Sequence, residues 1–187
     1  MAYRNGNYTA FYVATPFNQN NLGAASTPDF NHYNLLKAWK SKESSFPFID
    51  SHDKNYNVRD DSDWDSTLKP RLHDRLRNSK NIILFLSENT KSSKALNEEI
   101  DYGINKQGLP VIVIYPDITE ISEIIDSNNK FTKKVTDLWD KLPLFRDSKS
   151  SVPVLHLPYT KNLIIEGLNS SDYCVSTKVA AGNYYFK

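Results

Sequence analysis

Two stretches of the chain, NIILFLS (81–87) and LPVIVIYPD (109–117), are apolar at odd and even positions alike. A strand that shows one face to water alternates, whereas a strand covered on both faces does not, so these two read as central strands of a parallel sheet. YTAFYVATPF (8–17) reads as a first strand stopped at Pro16, FPFID (46–50) as a short second one, and SVPVLHLPY (151–159) as a fifth. Between the strands the period lengthens. Phe30, Tyr33, Leu36 and Trp39 recur every three residues behind a Thr27-Pro28-Asp29 helix start. Trp64, Leu68, Leu72 and Leu76 recur every four, with Pro70 tolerable only if the regular helix begins near it. KALNEEIDYGINKQG places Leu96, Ile100 and Ile104 on one side and stops at Gly108. Val135, Leu138, Trp139 and Leu142 mark another helical region, TKNLIIEGLN (160–169) is the last helix, and the tail GNYYFK offers an edge strand or an aromatic patch.

Strand and helix alternate, and the central strands are apolar throughout. This predicts a flavodoxin-like α/β fold: a doubly wound sheet of about five mainly parallel strands with helices on both faces. No internal repeat and no linker divides residues 1–187, which read as a single domain. In such folds ligands sit beyond the carboxyl ends of the strands. That rule selects Ala14–Phe17, Asp50 and the loop after it, Ser87–Ser93, and Pro116–Asp117. The loop 51–63 is charged and aperiodic, a candidate gate or assembly surface.

Composition narrows the classes. Lys and Arg total 23 against 22 acids and form no basic stripe, which disfavours nucleic acid as partner. The single cysteine, Cys174, has no internal disulfide partner, and the N-terminus lacks a signal-peptide core. No apolar run approaches the roughly 20 residues that cross a bilayer. These features predict a cytoplasmic protein away from membranes. None of the six glycines forms GxG or GxxxxGK, so the dinucleotide fingerprint and the P-loop are both missing. The acidic run Asp60, Asp61, Asp63 and Asp65 has the one-residue spacings of a calcium loop, yet Ser66 and Leu72 stand where that loop needs Gly and Glu. His32, His52, His73 and His156 share no ligand spacing, so no metal site is predicted. A phosphoacceptor receiver domain would need carboxylates where Ala14-Thr15 and Ser87 stand.

Two adjacent carboxylates, Glu98 and Glu99, remain, in a helix that begins at the ligand edge. With Leu96 and Ile100 inward, Glu99 lies on the flank of the apolar face and Glu98 turns further toward water. Periodicity alone leaves both as ordinary helix-surface acids. Because Glu99 sits in the first turns of a helix that begins at the ligand edge, a catalytic role stays open beside that reading.

FYVATPF, W-x3-L-x3-L, IILFLSENTKSSKALNEEIDYGI and LPVIVIYPD, taken together, resemble bacterial TIR-like domains, in particular those of the Thoeris anti-phage defence system, over about Tyr8 to Asp117. The glutamate of that family's W-V-x-x-E-I segment is the catalytic residue of an NAD glycohydrolase, and the resemblance lays it on Glu99, followed by Ile100. Ala95-Leu96 stand where many members carry Trp-Val. The first strand, FYVATPF, departs from the eukaryotic FISY form and is similar to nucleoside 2-deoxyribosyltransferases, which also cleave an N-glycosidic bond with a glutamate.

The resemblance implies an enzyme that takes NAD as substrate, with no further cofactor. Thoeris-type signalling members make a cyclic ADP-ribose isomer, a diffusible messenger for a companion NAD-consuming effector. It is compatible with a homo-oligomer and with activity held latent until infection. Strand-end geometry adds Phe17 as a stacking surface, Asp50 and His52 for the ribose or diphosphate, and Ser87 and Asn89 as hydrogen-bonding groups. Two other readings stay open on the sequence: a non-enzymatic TIR scaffold acting through protein contacts, and a nucleoside deoxyribosyltransferase.

Overall fold

The structure, a computed structural model, describes residues 11–14, 28–51 and 63–186. Among these, five parallel strands stand side by side in chain order: β1 (Phe11–Ala14), β2 (Asn81–Phe85), β3 (Val111–Tyr115), β4 (Pro153–Pro158) and β5 (Gly182–Tyr184). Phe11 registers with Asn81, Ile82 with Val111, Val111 with Val154, and Pro153 with Gly182. Every residue of β2 and β3 is buried, as their unbroken apolar runs require.

The five strands differ by one from those read in the sequence. Residues 46–50 form no full strand. Their parallel contact is a single bridge, in which the Phe11 N–H donates to the Ile49 carbonyl (2.8 Å) and the Ser51 N–H donates to the Phe11 carbonyl (3.1 Å). Pro47 is the reason: it has no N–H for a ladder, and the chain turns tightly around it, with the Phe48 N–H reaching the Phe46 carbonyl at 2.8 Å. The tail supplies the fifth strand instead. The bridge still puts 46–50 outside β1, so the chain passes from that edge back across the sheet, as the doubly wound prediction demands.

Helices cover both faces. On one, α1 (Pro28–Lys42) and α6 (Lys161–Asn169) bring Tyr33, Leu36, Ile164 and Leu168 onto Phe11, Val13, Ile83, Phe85, Ile112 and Ile114. On the other, Leu72 and Leu76 of α2 (Lys69–Arg77), Leu96 and Ile100 of α3 (Lys94–Ile100), Val135 and Leu138 of α4 (Lys133–Trp139) and Phe145 of α5 (Pro143–Ser148) cluster with Ile82, Leu84, Val111 and Val113. Pro70 falls in the first turn of α2, behind a π-helical turn at Trp64–Leu68. That turn is capped by Asp63, whose Oδ1 accepts from the Ser66 N–H at 2.7 Å. One aspartate of that acidic run thus serves as a helix cap.

α3 runs on as a π-helical segment, Asp101–Lys106, and ends at Gly108, whose φ of +61° is the left-handed cap that glycine adopts without strain. Gly103 lets this segment approach β2 closely: a Cβ there would run into Ile82 Cδ1, with Leu76 Cδ2 at 3.3 Å.

A chain of polar side chains is buried on the same face. Trp139 Nε1 donates to the Tyr115 hydroxyl (2.9 Å), Tyr115 lies 2.7 Å from His156 Nδ1, and His156 Nε2 lies 3.0 Å from Asn183 Oδ1. One assignment satisfies every group: the tyrosine donates to Nδ1, and the protonated Nε2 donates to the asparagine. Burial holds the His156 pKa down to about 4; the Asn183 hydrogen bond opposes this shift and the Lys149 charge adds to it. His156 is a satisfied core histidine and ties β5 to the sheet.

Candidate functional site

The site is built at the corner where β2 leaves the sheet and α3 begins. Past Phe85 the chain turns sharply. The Ser87 N–H donates to Thr90 Oγ1 (2.9 Å), the Thr90 N–H to the Ser87 carbonyl (3.1 Å), and the Asn89 N–H to Ser87 Oγ (3.1 Å). Ser and Thr hydroxyls that take up backbone donors fix such a turn. It is braced from the end of β3, where Asp117 Oδ2 accepts the Glu88 N–H at 3.2 Å. Ser93 then caps α3, its Oγ accepting from the Leu96 N–H at 3.1 Å, which sets the helix phase.

That phase decides the fate of the two carboxylates. Glu99 is fully buried, at 0% exposure, beside Leu96 and Ile100. The sequence put it on the flank of the apolar face; the structure takes it inside. An acid is rarely found fully buried without a reason, because desolvation penalises its charge. It sits about 8 Å along the helix from Lys94, at a rise of about 1.5 Å per residue.

Glu98 differs from the sequence expectation too. Rather than turning to water, it is half-buried against α2. Its Oε1 lies 2.6 Å from His73 Nε2 and its Oε2 3.2 Å from Lys69 Nζ. Burial pushes the Glu98 pKa up, but the hydrogen bonds from His73 and Lys69 and their charges outweigh it and hold the group below the ordinary glutamate value.

Ser87 and Asn89 belong to the turn between β2 and α3, the helix that carries Glu99. Ser87 is buried at 2%, its hydroxyl engaged within the turn, while Asn89 is exposed. Asp50 lies elsewhere. It registers with Phe11 and hence with Asn81, at the level where the strands start, three residues or about 10 Å short of Ala14 at roughly 3.3 Å per residue. Its buried carboxylate accepts a short hydrogen bond from the Tyr33 hydroxyl on α1. Phe17 and His52 fall outside the described residues, as does most of the loop 51–63.

Two residues at the ligand edge are not among the strand-end candidates of the sequence. Tyr159 directly follows β4 and His32 lies near the start of α1; the tyrosine hydroxyl and His32 Nδ1 are 3.0 Å apart, and the His32 ring lies 5.6 Å from that of Phe85, at the end of β2. Burial lifts the Tyr159 pKa to about 12, so the phenol stays protonated. The signal was available: the strand-end rule that selected Ser87 applies equally to the residue after Pro158.

Among the described residues no group of three or more His, Cys, Asp or Glu could hold a metal ion, and no helix is long and apolar enough to cross a membrane.

Fold and corner together define a doubly wound α/β protein with a buried acid on the helix after a central strand. The chain belongs to the family of the Thoeris protein ThsB, TIR-like domain, whose family model matches residues 8–121, more than half of its length and all of the β2–α3 corner. It is thus a member of a Thoeris-type defence family. β4, α6 and β5 lie beyond the matched segment and complete the sheet.

Proposed function

We propose that this chain cleaves the nicotinamide–ribose bond of NAD, with Glu99 as the catalytic carboxylate, and closes the product into a cyclic ADP-ribose isomer. The messenger would activate a companion NAD-consuming effector during phage infection, in the cytoplasm where NAD is held. The observation that supports this reading is the full burial of Glu99 on the helix that follows β2 in a TIR-like domain. Its neighbour Glu98 is held outward against α2 by His73 and Lys69.

The chemistry requires one carboxylate. When the C1′–N bond breaks, its electron pair goes to the nicotinamide nitrogen. A pyridinium leaves as a neutral pyridine and needs no proton, whereas at an O-glycoside a second carboxyl must protonate the leaving oxygen. The ribose is left with oxocarbenium character, which a carboxylate held in a water-poor site stabilises. Attack by water, with loss of a proton, gives ADP-ribose. Attack by a nucleophile of the same molecule, again with loss of a proton, closes the ring. Ser87 and Asn89 supply polar groups at the strand end.

The test is Glu99→Gln, which keeps the shape and removes the charge. NAD consumption and messenger formation are measured in phage-infected cells at matched protein level. The expected loss is about 100- to 1,000-fold, the usual effect of deleting one group aimed at transition-state charge. Wild-type NAD loss in Glu99→Gln would discard the catalytic role and leave a scaffold acting through protein contacts.

A further inference from the structure

α2 presents Lys69, His73 and Arg77 at intervals of four, one stripe along the helix, and α3 with its π-helical extension answers with Glu98 and Tyr102, also four apart. The stripes interlock. Glu98 takes His73 Nε2 at 2.6 Å and Lys69 Nζ at 3.2 Å. The His73 ring stacks face to face on Tyr102, with centroids 3.5 Å apart and planes 6° from parallel. Arg77 Nη1 donates to the Tyr102 hydroxyl at 3.1 Å, while its Nη2 reaches Asp74 at 3.3 Å. Glu98 is held ionised and therefore only accepts, so the His73 nitrogen that faces it carries a proton.

We infer that Glu98 and His73 are positioning residues for Glu99. Consecutive helical residues step by about 100°, so fixing Glu98 against α2 fixes the direction in which Glu99 enters the interior. The leverage is large. A side chain reaches roughly 5–6 Å from the helix axis, so a rotation of α3 by about 10° moves the Glu99 carboxylate by about 1 Å. Misplacement of that size costs on the order of 100-fold in rate. Apolar packing of Leu96, Ile100 and Ile104 seats the helix on the sheet, and the charged hydrogen bond of 2.6 Å adds a strongly directional restraint to it.

The inference rests on Glu99 being the catalytic carboxylate, and the experiment separates the two. Clarified extracts of phage-infected cells expressing this chain without its effector are titrated with NAD. Initial rates at matched soluble protein, well below each variant's unfolding temperature, give kcat and KM. Glu98→Ala and His73→Leu break the contact; Glu98→Gln and His73→Gln keep a neutral hydrogen bond across it. The expected result is a fall in kcat of about 10- to 100-fold in the two breaking variants with KM within about twofold, and recovery of most of the rate in the two glutamine variants. Should Glu98→Ala fail to accumulate, His73→Leu makes the same test from α2. Wild-type kcat in the breaking variants beside an inactive Glu99→Gln overturns the positioning role and leaves the chemistry standing. Glutamine variants as slow as the breaking ones also overturn it. A Glu99→Gln variant as fast as the wild type removes the NAD reading, and this inference with it.

Discussion

Replacing His156 by Gln should flatten the acid side of this protein's stability curve. In the unfolded chain a histidine titrates near 6.5, whereas in the fold burial holds His156 down to about 4. The sign follows from proton counts. Between these values the unfolded chain binds a proton that the folded one refuses, so stability falls as the pH drops. The penalty begins as the pH passes below 6.5 and is complete once the folded group titrates near 4. Two and a half units at about 1.4 kcal/mol each give a full penalty of about 3 kcal/mol, of which about 2 kcal/mol accrues between pH 7 and 5. The mechanism is visible in the network. Nδ1 already accepts from Tyr115, whose oxygen takes the Trp139 N–H, so a proton on Nδ1 leaves the tyrosine proton without an acceptor. Urea unfolding at pH 7, 6 and 5 provides the assay. Contributions from other histidines and from carboxylates are common to both proteins and cancel in the difference. Glutamine lowers stability at pH 7 by loosening the Asn183 and Tyr115 contacts, yet the variant should lose about 2 kcal/mol less than the wild type on going to pH 5. Parallel curves for the two proteins would show that His156 does not stay neutral in the fold.

Two further substitutions test how α3 is seated. Gly103→Ala drives a methyl into Ile82 Cδ1 in a fully packed layer and should destabilise by about 1–3 kcal/mol in urea titrations, with unchanged stability refuting the close approach of this segment to β2. Ser93→Ala removes the acceptor for the Leu96 N–H and should reduce stability by about 1 kcal/mol, whereas Ser93→Asp, which can still accept, should not; equal loss in both would show that the cap is not made.

The sheet was legible because its signal is redundant. NIILFLS and LPVIVIYPD carry no polar position to confuse the period, and burial of both strands follows directly. Helix ends were legible where a residue has a backbone reason to be there: Gly108 for a left-handed cap, Pro70 for a first turn. The miss at 46–50 has an equally local cause. FPFID has the apolar alternation of a strand, but Pro47 withholds a donor and bends the chain, which periodicity does not register. The tail was ambiguous because three residues of pairing leave no period to detect. Its anchor, Asn183 on His156, joins residues 27 apart and cannot be read from either segment alone.

The carboxylate pair shows where a helical wheel stops informing. Counting from Leu96 and Ile100 correctly ranked Glu99 as the more inward of the two, but a wheel knows only one helix. It assigns water to whatever faces away from the core, and α2 occupies the side that Glu98 faces. The hint lay in α2, where Lys69, His73 and Arg77 recur every four residues just as Leu68, Leu72 and Leu76 do. An amphipathic helix with two ordered stripes has two neighbours, and a basic stripe calls for an acid on the adjoining element. Glu98 on α3 and Tyr102 on its π-helical extension have matching spacing and lie outside the apolar stripe Leu96, Ile100 and Ile104. With Glu98 committed to α2, the 100° step carries Glu99 inward, into a place where ionisation is costly unless the site uses the charge. The stripe and the buried acid are therefore two ends of one arrangement, and breaking the outer end should be felt at the inner one.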